Sequence, residues 1–435
     1  MLDLDIYQKN LAGLLLVCGT LLATGSPSKQ GKQKAGRESP HQGSQRAFYI
    51  VYALVMASDW LQGPYLYSLY RDEHKVSPGL IPTLFTTGFL SGAVSAYFIG
   101  SVADRSGRRL ACLSFCVIYS LSCLLTVVPS VPLLFAGRVL GGIGTSLLFS
   151  VFDTWMVTDF HQRKLASKGL SLSRTFGTMS TVNSIVAIAS GISSEWLVEW
   201  AGTRKAPFGL SVGLLGLATV FIYSQWDENY GDATTPDSGS KPAENRLLKA
   251  LTNKRVLSLG LASTMFEGSM YLFVFFWAPA LEAAHANSPT PLPYGTIFAS
   301  FMASMMTASL LFTKLSSYTT LSHGTLLSAL LAVSTVIFYT LSSAPRTEQT
   351  AFWLFCAFEA CVGVYWPVVG LLKGKVVDDA VRAQVYGVLR VPLNVFVVAS
   401  LALTRGGGDY AKVFGACAAF LLAGAGAVAL TIAGS

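Results

Sequence analysis

Apolar stretches of about 20 residues, the length a bilayer core of roughly 30 Å demands, recur along the whole chain and leave room for little but membrane helices. Cut at its charged and Pro/Gly-rich breaks, the sequence yields about thirteen such stretches. They lie near 11–24, 47–69, 80–101, 110–128, 131–155, 168–192, 206–225, 256–281, 294–313, 322–343, 350–372, 383–404 and 411–433. Composition agrees: 12% of the residues are charged, where soluble domains carry roughly 25%. Lipid offers backbone amides no partner but one another, so spans of this length are helices. The chain is predicted to be an all-α membrane protein.

The first stretch is short and precedes a polar segment, which raises the alternative of a cleaved signal peptide. The leading MLDLDIYQKN holds two aspartates and a single lysine, and ATGSPSKQ shows no small-x-small cleavage site. Residues 11–24 are therefore read as an uncleaved helix that spans the bilayer or lies in its interface.

Thirteen spans place segments 25–46, 102–109, 156–167, 226–255, 314–321 and 373–382 on one face. That face carries about twenty of the lysines and arginines against about eight opposite, so it is expected to be cytosolic. The N-terminus then lies on the extracellular or lumenal side. The net charge of +8 belongs to these inside-positive loops and gives no support for nucleic-acid binding. The seven cysteines all sit in apolar spans without disulfide or zinc spacing, and the histidines fall in loops or, for His323, at the edge of a span. No nucleophile elbow, P-loop or dinucleotide fingerprint is present, so an enzyme is the weakest reading, and no cofactor or metal is implied.

The longest polar gap, 226–253, is rich in Ser, Thr, Pro, Asp and Gly and reads as a cytosolic linker. The expected organisation is an extra helix and basic loop at 1–46, a six-helix half at 47–225, a linker at 226–255 and a second half at 256–435.

GSVADRSGRR at 100–109 ends one predicted helix and opens a turn on the basic face. Gly100 would permit close helix contact, Asp104 would cap or pair at the membrane edge, and Arg105, Arg108 and Arg109 would snorkel and bridge to helix ends around Gly107. Gly88, Gly92, Ala96 and Gly100 form a small stripe suited to close packing. The segment resembles the signature between helices two and three of the major facilitator superfamily, which implies its fold: two six-helix halves, here with one extra N-terminal helix. A closer resemblance rests on ASDWLQGPYLYSLY (57–70), GRVLGGIGTSLLFSVFDTW (137–155), MFEGSMYLFVFFWAP (265–279), VYWPVVGLLKGKV (364–376) and VLRVPLNV (388–395). These are similar to the eukaryotic molybdate-anion transporters of the type-two family, from about residue 47 to the last helix and including the extra first helix, with none of the likeness in the loops at 226–253 and 282–293. A monomer is the usual state for this fold, and the plasma membrane is expected rather than an endomembrane.

Charges inside spans cost about 2.5–3.5 kcal/mol each on insertion scales and mark pathways. Asp59 and Glu267 fall at matching depths in the first and seventh core helices, and Arg174 and Arg390 at matching depths in the fifth and eleventh. Arg174 and Arg390 are the candidate clamp for a tetrahedral dianion, because arginine offers a planar fork of donors and a permanent charge. The bland alternative is that both snorkel or pair with acids. Asp59 and Glu267 have two open readings: proton sites, or fixed counter-ions for those arginines. Arg138 and Glu359 stand at comparable depth in helices four and ten, with Gly141, Gly142 and Gly144 allowing close approach around Arg138. Asp153 is expected to pair with Arg105 or Arg108 as a gate latch.

Trp60, Gln62, Tyr65, Tyr67, Tyr271, Asn183, Tyr365, Trp366 and Asn394 are secondary cavity candidates. Pro64 is expected to interrupt its helix, and Pro367 and Pro392 are hinge candidates. The expected function is uptake of an inorganic oxyanion, molybdate, by rocking of two halves about a midplane site, with a coupling proton left open. A proton-coupled carrier of a sugar or small organic anion, and a non-transporting sensor of the same fold, are the alternatives.

Overall fold

The computed structural model describes residues 5–24, 40–168, 170–231, 252–286, 288, 290–316, 322–343, 347–377, 382–402, 404 and 410–432. Thirteen long helices carry them: α1 Ile6–Thr24, α2 Pro40–Trp60, α3 Leu80–Ser106, α4 Arg108–Thr126, α5 Val131–Gln162, α6 Leu172–Ala201, α7 Ala206–Gln225, α8 Lys254–His285, α9 Tyr294–Leu315, α10 His323–Ser342, α11 Glu348–Val376, α12 Arg382–Ala402 and α13 Tyr410–Thr431. Ten of these are long and apolar enough to cross a membrane. The other three, α2, α6 and α12, carry more polar side chains, among them Asp59, Arg174, Asn183 and Asn394. Helices with such residues in a bilayer turn them toward protein or a watery interior.

The two halves repeat. In the first, α2 packs on α6 and α7, α3 on α5, and α4 on α5 and α7; in the second, α8 packs on α12 and α13, α9 on α11, and α10 on α11 and α13. Each pairing recurs six helices later. The halves then meet through α6 on α9 and α3 on α12, which exchange under the same two-fold relation. This is the expected major facilitator fold.

Local breaks follow the sequence. Helix α2 stops at Trp60; a turn containing Gly63 and Pro64 leads into a helical turn at Leu66–Ser68 and a π-helical turn at Leu69–Glu73. Proline lacks the N–H that would continue the helical ladder. Gly88 and Gly92 of α3 let α5 approach so closely that a side chain on Gly142 would strike the Gly88 carbonyl. Gly141 and Gly144 are equally confined, by Ser122 and Tyr119. The small stripe does not run as far as expected: a Cβ on Gly100 would meet open space, because Gly100 lies on the exposed face of α3 while Ile99 and Ala103 on its other face stay buried in the core.

The extra helix α1 lies along α9 and extends the length of that helix. At one end the Tyr7 hydroxyl donates to Glu348, and Asn10 donates to Gln349 at 3.0 Å. At the other end Lys314 donates to Thr24 at 2.6 Å. α1 is thus tied to the start of α11 at one end and to the end of α9 at the other.

Candidate functional site

Asp59, in the last turn of α2, accepts a hydrogen bond from the Tyr119 hydroxyl of α4, within electrostatic reach of Arg138 on α5. The Arg138 guanidinium covers Gly88 and lies 5.4 Å from the Phe85 ring centroid. In the second half Glu267 of α8 accepts from the Tyr365 hydroxyl at 2.8 Å and pairs with Lys373 at 3.7 Å. Each half thus holds one carboxylate of its first core helix, half-buried Asp59 or buried Glu267, by a tyrosine and a cation. The counter-ion expectation for Asp59 and Glu267 shifts accordingly: the described cations beside them are Arg138 and Lys373, not Arg174. Lys373 escaped the sequence reading because it was assigned to a loop, whereas α11 continues to Val376 and carries it inward.

Arg174 lies in the first turn of α6. Ser171 caps that helix by accepting from the Arg174 backbone N–H at 3.2 Å, and the side chain is exposed without an ion pair among the described residues. Arg390 belongs to α12, but its side chain lies outside the described residues. The Trp60 indole donates to Asn183 at 2.8 Å, tying α2 to α6. Gln62 folds back onto the Ser58 carbonyl at 2.8 Å. Tyr271 packs 5.2 Å from Phe89 of the other half. Trp366 is 47% exposed, and Asn394 is half-buried.

Arg138 and Glu359 occupy equivalent stations on α5 and α11. Four residues beyond each is a glycine, Gly142 or Gly363, pressed onto a backbone carbonyl of the equivalent neighbour, Gly88 of α3 or Met305 of α9.

Side-chain contacts between the halves cluster on the face opposite the basic one. Trp60 meets Phe298, Tyr65 meets Tyr294 at 6.0 Å, Tyr67 and Phe85 meet Phe275, and Gly191 of α6 abuts the backbone at Gly295 and Ala299 of α9. Pro293, at the N-cap of α9, supplies no capping side chain. The Glu195 carboxylate of α6 takes that role, accepting from the N–H groups of Gly295 at 2.6 Å and Thr296 at 3.3 Å. A carboxylate at a helix N-terminus gains from the aligned peptide dipoles. Arg71 adds a bond to Glu282 at 2.8 Å, and Tyr294 also donates to Glu282. Arg71 and Arg204 both pair with Asp72, at 2.5 and 2.8 Å. Burial raises the Asp72 pKa, but bonding to Arg71 and the charges of Arg71, Arg204 and Lys75 outweigh it and hold the carboxyl below its ordinary range.

On the basic face Gly107 has φ +106° and ψ 130°, a conformation open to glycine alone. Arg108 pairs with Asp104 at 2.7 Å and donates to Thr158, while Arg109 donates to the Tyr223 carbonyl at 2.8 Å and lies 5.4 Å from the Tyr223 ring centroid. Arg105 is exposed. Asp153 pairs with neither Arg105 nor Arg108, contrary to expectation: Arg108 is held by Asp104 and Thr158, and Asp153 sits beside Tyr52. The first residues of the expected linker dock here. Glu228 accepts from the N–H groups of Arg109 at 2.7 Å and Leu110 at 3.1 Å, Arg108 N–H donates to the Asn229 carbonyl at 2.9 Å, and Trp226 stacks on Trp155 at 3.8 Å. Residues 232–251 of that linker lie outside the described residues. Tyr119, Glu195 and Glu228 have no sequence signal of their own; their partners are distant in sequence.

Residues 6–347 match the family described as sugar transporters with 12 transmembrane spans. The chain is 33% identical over 423 residues to a molybdate-anion transporter of Xenopus laevis, covering 95% of this chain and 91% of that protein. It is 31% identical over 435 residues to a molybdate-anion transporter of Danio rerio, covering 91% and 88%. Among solved structures, the POT family transporter PepTSo superposes with a TM-score of 0.69 at 12% identity, covering 91% of this chain and 98% of that one. The D-xylose–proton symporter does so with a TM-score of 0.64 at 13% identity, covering 89% and 97%. At these identities the structural likeness speaks for the fold alone.

Proposed function

The chain belongs to the molybdate-anion transporter family of the major facilitator superfamily, and from that premise we propose that it carries molybdate into the cytosol by alternating access. The observation that carries this reading is the likeness to molybdate-anion transporters over 95% of the chain. The chemistry of the candidate site agrees with it. A tetrahedral dianion suits guanidinium donors, which stay charged at any biological pH, and Arg174 presents an exposed guanidinium. We assign Arg174 and Arg390 to the clamp, with Asn183, Tyr271 and Asn394 around it.

The basic face is cytosolic and the N-terminus extracellular in this reading, with the protein a monomer in the plasma membrane. The halves are 47–225 and 256–435, joined by 226–255. Inside-negative potential opposes import: each elementary charge costs about 2.3 kcal/mol per 100 mV, so a dianion costs about 4.6 kcal/mol. A coupling proton offsets part of that cost. A second reading, a sugar carrier, is favoured by the description of the matching family as sugar transporters.

The test is uptake of radiolabelled molybdate by cells expressing the wild type, Arg174→Gln or Arg390→Gln at matched surface abundance, beside radiolabelled hexose. The expected result is saturable molybdate uptake that collapses in both variants. Hexose uptake without molybdate uptake would install the second reading. Full molybdate uptake in both variants would make the arginines structural.

A further inference from the structure

Glu359 is 5% exposed. Among the described residues no hydrogen bond or ion pair reaches its carboxyl. The other two intramembrane carboxylates singled out above are provided for: Asp59 by Tyr119 and the Arg138 charge, Glu267 by Tyr365 and Lys373. A charge buried without a partner is among the least favourable arrangements in a protein, and the alternative open to a carboxyl is to take up a proton.

Its position adds a path. Residues 359, 363, 366 and 370 of α11 recur at helical spacing on one face. Toward the basic side that face is not covered by other helices: Trp366 is 47% exposed, and a Cβ on Gly370 would meet nothing. It closes at Gly363, where the backbone of α11 meets the Met305 carbonyl of α9. Glu359 stands one turn beyond that seal. The equivalent station of the first half, one turn beyond Gly142, holds Arg138, which has Asp59 for a counter-charge. One half therefore keeps a fixed charge pair where the other keeps a lone carboxyl.

The ionisable groups facing this station are few, and on α11 itself the Cys356 thiol, beside Ser304 of α9, is within electrostatic reach of Glu359. Phe266, beside Glu267, packs on Phe358, beside Glu359, so Glu267 and Tyr271 of α8 stand near its level. Glu267 is already engaged. On α9 and α10, Tyr294, Lys314 and His323 lie in terminal turns, and Tyr339 is 67% exposed.

We propose that Glu359 is a proton-binding site that couples substrate movement to a proton, loaded from one face and emptied to the other as the halves rock, with the packed contact of Gly363 on Met305 kept throughout. The proposal rests on the transport reading above. In each cycle the carboxylate takes one proton on the extracellular side and releases the same proton to the cytosol, with no other bond made or broken.

The test uses purified full-length protein in proteoliposomes with radiolabelled molybdate. An inward proton gradient of one pH unit is expected to raise wild-type accumulation by up to about tenfold per proton carried. Glu359→Gln should lose that response while retaining exchange of labelled for unlabelled molybdate, and Glu359→Asp should keep the response. Infrared spectra at neutral pH supply a substrate-free reading: the carbonyl stretch of a protonated carboxylic acid should be present in the wild type and missing in Glu359→Gln. A wild type indifferent to the gradient, a gradient response surviving in Glu359→Gln, or an unchanged infrared band would each overturn the proposal. Absence of any molybdate flux in the wild type would sink the transport reading instead, leaving the infrared result to decide the protonation of Glu359.

Discussion

The two rims of this bundle use one device for opposite ends. On the rim away from the basic face, Glu195 of the first half caps α9 of the second; on the basic rim, Glu228, at the start of the linker that continues the first half, caps α4 of that same half. The same contrast holds for the ion pairs. Arg71 reaches across to Glu282, whereas Arg108 stays with Asp104, and Arg163 stays with Asp159 at 2.6 Å and Asp227 at 2.8 Å. Bonds between halves must break when the halves rock, while bonds within a half can persist through the cycle. The first rim is therefore built as a latch and the second as a brace. A helix cap worth about 0.5–2 kcal/mol is strong enough to bias a two-state equilibrium and weak enough to be reversed.

The largest test of this contrast is at Gly295, whose missing side chain lets α9 lie against the Gly191 carbonyl of α6. Gly295→Leu would set a side chain against backbone. Overpacking costs about 1–3 kcal/mol, so closure of this rim should weaken roughly 5- to 150-fold. Labelling of a Phe298→Cys reporter by a membrane-impermeant maleimide should accelerate accordingly. The native cysteines are all buried, so they leave the readout clear; an unchanged labelling rate would mean that the contact at Gly191 is not what closes this rim.

The brace is tested at Gly107, where φ is +106° and an added Cβ would come 2.6 Å from Glu228 Cδ. Gly107→Ala should lower stability by about 1–3 kcal/mol, read as a drop in thermal unfolding temperature in detergent. Because the strain lies within one half, reporter labelling on the opposite rim should not change. A shift in labelling would make the basic rim part of the gate.

The smallest effect concerns Asp72, whose carboxyl is held below its ordinary range by Arg71 and its neighbours. A depressed folded-state pKa contributes stability at pH above the unfolded value, about 3.9 for aspartate, and loses it as pH falls through the folded value. Stability should thus be flat near neutrality and decline at acid pH, with Asp72 supplying a few tenths to about 1 kcal/mol. Melting of the wild type and Asp72→Asn from neutral pH downward checks this. Parallel curves would show that the pair contributes nothing.

Particular residues show where the sequence could be read and where it could not. The turn at 100–109 was legible because Gly107 and the flanking charges act within a few residues of one another, and Pro64 breaks its helix by local chemistry. Gly100 was misjudged because a small residue permits contact without compelling it; whether a neighbour comes close depends on the path of the other helix. Asp153 was misassigned because proximity to the basic face said nothing about which acid Arg108 would choose, and Asp104 lies one turn away on the same helix face.

What the sequence determined by itself is the membrane class, the helical spans, the repeat of two six-helix halves and the positions of the intramembrane charges, because bilayer thickness and the cost of unpaired backbone and charge leave few alternatives. Only the tertiary structure decided which charge meets which partner. Tyr119 for Asp59, Lys373 for Glu267, Glu195 for α9 and the solitude of Glu359 all depend on how helices far apart in sequence are set side by side, and hydrogen bonds and ion pairs fall away over distances too short for spacing along the chain to encode.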